Sequence, residues 1–214
     1  MRGDLVGSQI KISKMSFLVR KSKRQRPRTR KQKAENEVAL DLVKRDFSAN
    51  EPNKLWFADI TYVKTYQGWL YLAVVFDIYS RMIVGWSMGE RMEATLVDDA
   101  LKMAITRRNP KENLIHHSDR GSQYRSILFS KTLKAANITP SMGAISAPGD
   151  NAVTESLMST IKAECVHRTT FVTREEARLA IFDYIEVFYN RLRYHSSLGN
   201  LSPVEFEERK PVVA

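Results

Sequence analysis

Hydrophobic and polar positions fall into two regimes, strand-like from Leu55 and helix-like from Glu93. Alternation over Leu55–Val63 puts Leu55, Phe57, Asp59, Thr61 and Val63 on one face, with Trp56, Ala58, Ile60 and Tyr62 on the other. Lys64-Thr-Tyr-Gln-Gly68 gives a turn, and the apolar run Trp69–Ile78 fits a central strand buried on both faces. Tyr79-Ser-Arg81 then turns into a third strand, Met82–Met88. Connections this short require an antiparallel meander.

Helical spacing begins with Glu93–Arg108, which carries Leu96, Ala100, Met103 and Ala104 inward and stops at Asn109-Pro110. The pattern then predicts a strand at Asn113–His117, a helix at Ser122–Ala136 and a strand at Ile138–Met142. Gly143–Asp150 is a loop. A helix over Asn151–Cys165 is capped by Asp150 or Asn151. Thr173–Arg191 reads as one long helix opened by the capping box Thr173-x-x-Glu176, and a short helix follows Pro203. This order predicts an α/β three-layer domain with a five-stranded mixed sheet flanked by helices.

Residues 1–50 stand apart as a basic arm and linker, ahead of a core at 51–210 and a tail at 211–214. The chain of 214 residues has a formal net charge of +10 and a pI near 9.7. Residues 1–33 hold 12 Lys/Arg against one Asp, so the other 181 residues are nearly neutral. Nine basic residues lie within Arg20–Lys33, where self-repulsion and Pro27 argue against a packed element. Arg24, Arg26, Arg28, Arg30 and Lys31 are the candidate contacts to a DNA backbone; the alternative is a solvated linker. A short helix is expected at Glu35–Arg45. Cys165 is the one cysteine, which excludes an internal disulfide framework and a zinc finger and suits a reducing cytosol. No apolar run is long enough to span a bilayer and no signal-like core opens the chain, so a cytoplasmic protein without a membrane partner is expected.

Three carboxylates sit in costly places. Asp59 is the only charge between Lys54 and Lys64, Asp119 follows a short strand where a helix is about to start, and Glu155 lies in the first turn of a helix. Carboxylates removed from water need a partner. Polar groups at the carboxyl ends of strands in open α/β sheets face a ligand crevice. Glu155, Ser159 and Lys162 share one helix face, opposite the apolar stripe Val153, Leu157 and Ile161. A hard divalent cation suits three carboxylates that have no histidine or cysteine cluster beside them. Two ions about 3.5–4 Å apart can drive an in-line phosphodiester displacement. Simpler readings exist for each residue: an ion-paired Asp59, a loop-capping Asp119, an exposed Lys162. His116 and His117 point to opposite faces and cannot chelate one ion together.

Five ordered segments carry a resemblance: Trp56-Phe-Ala-Asp59-Ile-Thr-Tyr-Val, Gly68-Trp-Leu-Tyr-Leu-Ala-Val-Val, Asp77-Ile-Tyr-Ser-Arg-Met-Ile-Val-Gly-Trp86, His117-Ser-Asp119-Arg-Gly-Ser-Gln-Tyr124 and Asp150-Asn-Ala-Val-Thr-Glu155. Together with Phe188–Gly199 and Ser202-Pro-Val-Glu, they resemble the integrase core of insertion-sequence transposases of the OrfB kind, similar to retroviral integrases. Thirty-five residues separate Asp119 from Glu155, as is typical of that DDE family. The resemblance implies an RNase H-like fold and DNA cleavage and strand transfer dependent on Mg²⁺ or Mn²⁺, with two ions. Asp59, Asp119 and Glu155 would be catalytic metal ligands and Lys162 a contact to the transposon-end DNA; Asp77 is structural. DNA ends and target, further copies of the chain and an upstream-frame protein are the implied partners, with nucleoid association when bound. Residues 1–50 lack the helix-turn-helix-like region of full-length members, which suggests a truncated copy or one frame of a frame-shifted product. Pro148-Gly149 is also unusual for the family. An RNA–DNA hybrid nuclease and an inactive or regulatory DNA-binding remnant are the alternatives. Loop Gly143–Asp150 is expected to be mobile without metal and substrate, leaving Glu155 apart from the two aspartates.

Overall fold

The structure is a computed structural model that describes residues 39–143 and 152–209. Strands β1 (Leu55–Thr65), β2 (Gly68–Asp77) and β3 (Ile83–Gly89) form the antiparallel meander. Helix α1 (Ala94–Arg108) leads to β4 (Ile115–Ser118), α2 (Ile127–Ala135) to β5 (Thr139–Met142), and β4 and β5 join the sheet in parallel. The order β3-β2-β1-β4-β5 gives the expected five-stranded mixed sheet. Helices α3 (Ala152–Glu164), α4 (Arg174–Asp183) and α5 (Pro203–Arg209) complete the chain.

Strand alternation sorts the core into two layers. Trp56, Ala58, Ala73 and Val75 pack against Leu96, Ala100, Leu101 and Ala104 of α1 and Phe129 and Leu133 of α2. Val63, Leu72, Val74 and Phe76 pack against Leu157, Met158 and Ile161 of α3 and Ala177 and Ile181 of α4. β2 is buried on both faces, as its uninterrupted apolar sequence requires. Gly85 permits the close approach of β3 and α1, since a Cβ there would collide with the backbone of Ala100 and Ala104. Among the described residues, no helix is long and apolar enough to cross a membrane.

Three expectations need correction. Residues 39–45 of the expected Glu35–Arg45 helix are not helical, and the rest of that stretch lies outside the described residues. Asp41 Oδ1 accepts the N–H groups of Val43 and Lys44, making a local turn that competes with a helix. The same segment is held to β5, because Leu42 N donates to Ser141 Oγ and Met142 N to Leu40 O. Helix α2 begins at Ile127 rather than Ser122, because Ser126 caps it by accepting Phe129 N–H. Thr173–Arg191 is not one α-helix: the capping box is present, but the α-helical part ends at Asp183 and a π-helical turn follows over Tyr184–Tyr189. That turn lets Tyr189 and Asn190 both reach the edge of the meander. Tyr189 Oη donates to Arg81 O, and Asn190 bonds the backbone of Ile83.

Candidate active site

The parallel pairing of β1 with β4 builds the site. Phe57 stands opposite His117, and two residues further on each chain carries an aspartate, Asp59 and Asp119. Even spacing along a strand keeps Asp59 on the face of Phe57 and of its β2 neighbour Val74, which is the face covered by α3. Asp59 is half-buried in β1, and Asp119 is exposed at the end of β4. Asp119 Oδ1 accepts Gly121 N–H at 2.9 Å, closing the turn that leads away from the strand. Glu155 is exposed on the first turn of α3, anchored by its buried neighbours Thr154, Leu157 and Met158.

Electrostatics link these groups. Burial pushes the Asp59 carboxyl up to about 6, with the negative charges of Asp119 and Glu155 adding to the rise; Ile60 N–H and the Lys162 ammonium oppose it. Asp59 Oδ1 accepts Ile60 N–H at 2.7 Å, and no Lys or Arg forms an ion pair with Asp59 among the described residues. Among the described residues Asp59 thus stands in its strand without a counter-charge. Lys162 lies two turns beyond Glu155, half-exposed, with its Nζ 5.4 Å from the centre of the Tyr62 ring.

The donor set is all oxygen, as a hard cation prefers. Among the described residues, however, no three histidine, cysteine, aspartate or glutamate side chains form a group that could hold a metal ion. Glu155 thus influences Asp59 without closing a three-ligand cage. Residues 144–151, which contain most of the loop before α3 and its expected caps Asp150 and Asn151, lie outside the described residues. So do Arg24, Arg26, Arg28, Arg30 and Lys31.

The neighbouring residues have structural roles. His116 packs against Phe129 with ring centres 5.2 Å apart, and burial pushes its imidazole down to about 3. His117 lies on the other face, against Phe57 and 2.9 Å from Ser141 Oγ. Asp77 is fully buried, accepting Asn53 and Tyr79 N–H and pairing with Arg108 at 3.3 Å, as befits a structural aspartate. Tyr124 was not singled out by its sequence. Its buried hydroxyl has no hydrogen-bond partner among the described residues, and after burial the charges of Asp59 and Asp119 hold it in the neutral form. The only signal was its position at the end of the segment His117–Tyr124.

Comparison with known proteins identifies the family and the fold. Residues 49–148 and 155–210 each match a family model described as integrase core domain. The chain is 48% identical over 172 residues to transposase InsF for insertion sequence IS3A of Escherichia coli K12, which takes in 80% of the chain and 60% of that protein. It is 45% identical over 168 residues to the transposase for insertion sequence element IS904 of Lactococcus lactis, 78% of the chain and 66% of that protein. The chain thus spans about 60% of the length of the first of these relatives. Among solved structures, a simian T-cell lymphotropic virus intasome chain matches with a TM-score of 0.61 at 17% identity, over 84% of this chain and 61% of that one. The HTLV-2 integrase catalytic core domain in complex with magnesium matches with a TM-score of 0.55 at 17% identity, over 74% of this chain and 99% of that one. These likenesses establish the RNase H-like fold. With that fold and those relatives, the chain belongs to the insertion-sequence DDE transposases that carry an integrase core.

Proposed function

We propose that the chain is a polynucleotidyl transferase that cleaves DNA at the ends of an insertion sequence and joins those ends to a target. The observation that carries the reading is the β1–β4 register, which sets Asp59 beside Asp119 on the face covered by α3, where Glu155 stands. Asp59, Asp119 and Glu155 would hold Mg²⁺ or Mn²⁺, as two ions. When bound, such ions activate a water or a DNA 3′-hydroxyl and stabilise the leaving oxygen of the phosphodiester. The Asp59 carboxyl, raised to about 6, is mostly ionised near neutral pH while its desolvation makes a cation welcome. Gly121 N–H fixes one oxygen of Asp119, leaving the other for ligation. Lys162, on the helix that carries Glu155, would meet a phosphate of the same DNA end.

The basic stretch with Arg24, Arg26, Arg28, Arg30 and Lys31 would add sequence-independent contacts to the DNA backbone. Copies of the chain would act together on paired ends, with an upstream-frame protein supplying end recognition, in the cytoplasm and on the nucleoid when bound. The intasome likeness supports copies acting together, and the bacterial relatives support the cytoplasmic setting. The test is cleavage and joining of terminal-repeat DNA with Mg²⁺ or Mn²⁺. Asp59→Asn, Asp119→Asn and Glu155→Gln should each abolish both steps while leaving the fold intact. A Glu155→Gln chain that joins DNA as well as its parent would sink the three-carboxylate reading.

A further inference from the structure

A groove of about 610 Å³ opens beside α3, on the flank of the helix that carries Val153, Ser156, Leu157 and Thr160, away from the face of Glu155 and Lys162. Ser156 and Thr160 form one wall; the segment Arg193–Asn200 and Arg81 form the other. Among the described residues, no carboxylate lines it. Arg193 is already neutralised, with two 2.7 Å bonds to Glu164. Arg81 is different. Its guanidinium is partly buried, has no ion pair among the described residues, and leaves one Nη without any hydrogen-bond partner. Burial pushes its pKa down, and no carboxylate acts to restore it. Removing a guanidinium from water without a counter-charge is costly, so its retention needs an anion.

His195 makes the same demand. Arg193 Nη1 lies 3.3 Å from His195 Nδ1, and because arginine only donates, Nδ1 must accept. The neutral ring then carries its proton on Nε2, which is buried and has no acceptor among the described residues. Exposed hydroxyls of Ser196 and Ser197 stand at the rim. Two unsatisfied donors, one of them cationic, together with serine hydroxyls and no acid, suit an anion with several oxygens.

We propose that this groove seats a phosphate group of the DNA backbone, held by Arg81 with His195 and the hydroxyls of Ser156, Ser196 and Ser197. The proposal rests on the reading of the chain as a DNA-acting transposase. It assigns to the Tyr194-His-Ser-Ser segment a role in gripping DNA beyond closing the fold. α3 would then meet DNA on two well-separated flanks.

The test is equilibrium binding of the full chain to a labelled duplex, in EDTA and across a range of salt, for the parent, Arg81→Gln, Arg81→Lys and Ser197→Asp. Arg81→Gln and Ser197→Asp should each weaken binding about fivefold and lower the salt slope by about one. Arg81→Lys should recover most of the affinity. Ser197 is exposed, so its variant tests the groove even if Arg81→Gln loosens the fold. Unchanged affinity and slope in both Arg81→Gln and Ser197→Asp would overturn the proposal. So would a result in which inorganic pyrophosphate raises the melting temperature of the parent but not of Arg81→Gln while duplex binding stays the same, because the groove would then serve free phosphate. A parent chain that binds no duplex would instead refute the DNA-acting reading itself, a result visible without any variant.

Discussion

Asn190 holds Ile83 by both ends of its side-chain amide. Oδ1 accepts Ile83 N–H at 3.0 Å and Nδ2 donates to Ile83 O at 3.0 Å, all within a buried environment. The amide acts as a one-residue strand at the start of β3 and ties the π-helical turn to the sheet. Asn190→Ala would leave two buried backbone groups unpaired, a loss on the order of 3 kcal/mol. Asn190→Asp should do no better, since it replaces a donor with a negative charge facing the Ile83 carbonyl. Urea unfolding of the metal-free chain measures both; a loss below about 1 kcal/mol in Asn190→Ala would show that water substitutes for the amide.

Gly85 and Gly199 make a contrasting pair. A Cβ at Gly85 would stand 2.7 Å from Ala104 N and collide with Ala100 O, in the contact between β3 and α1. At Gly199 a Cβ meets nothing within 4 Å, but the backbone has φ +69°. Gly85→Ala should therefore cost roughly 2–3 kcal/mol through overpacking. Gly199→Ala should cost about 1 kcal/mol through left-handed strain alone. Thermal melts in parallel give the order, and an equal loss at the two positions would contradict the packing argument.

The antiparallel meander and the two faces of β1 were legible in the sequence because each rests on a short-range period. Val63 on one face of β1 and Trp56 on the other follow from alternation alone. The corrected elements depend on side chains that bond the backbone. Asp41 turns a helix-like stretch into a turn, and Ser126 sets the start of α2. The break at Tyr184 arises from partners more than a hundred residues away, Arg81 and Ile83, which no window on the sequence contains. Asp59 and Asp119 could be named from their odd placement, yet their adjacency needed the β1–β4 register. The orphaned Arg81 was invisible, because an arginine after a turn carries no mark of what surrounds it.

Arg108 joins the meander to the last helix. It makes two bonds to Glu207, at 2.8 and 2.9 Å, one to Asn53 at 2.8 Å and an ion pair with fully buried Asp77 at 3.3 Å. Arg108→Met would strand Asp77 in the core without a counter-charge, costing about 3–5 kcal/mol. The triple change Arg108→Met, Asp77→Asn, Glu207→Gln should regain a large part of that loss, because no charge is left uncompensated. Chemical denaturation of the set decides it. If the triple variant is no better than the single one, the damage comes from lost packing of the arginine stem.

Asp59 should behave in the opposite way to a structural aspartate. Its folded carboxyl titrates at about 6, above the ordinary 3.8, chiefly because it is buried. Between about pH 4 and pH 6 the native chain therefore holds a proton that the unfolded chain has released. The unfolding free energy must then fall as pH rises through that window and level off above it. Asp59→Asn lacks this slope. In EDTA the variant and its parent should be equally stable near pH 4, and by pH 7.5 the variant should be ahead by about 3 kcal/mol. An ion-paired aspartate would give the reverse, a variant that is weaker at pH 7.5 and recovers on acidification. Adding Mn²⁺ at pH 7.5 should raise the melting temperature of the parent and leave Asp59→Asn unmoved, since the metal relieves the same desolvated charge that the substitution removes. Parallel pH profiles for the two chains would show that burial does not set the Asp59 carboxyl, and with it would fall the argument that this strand position is held ready for a cation.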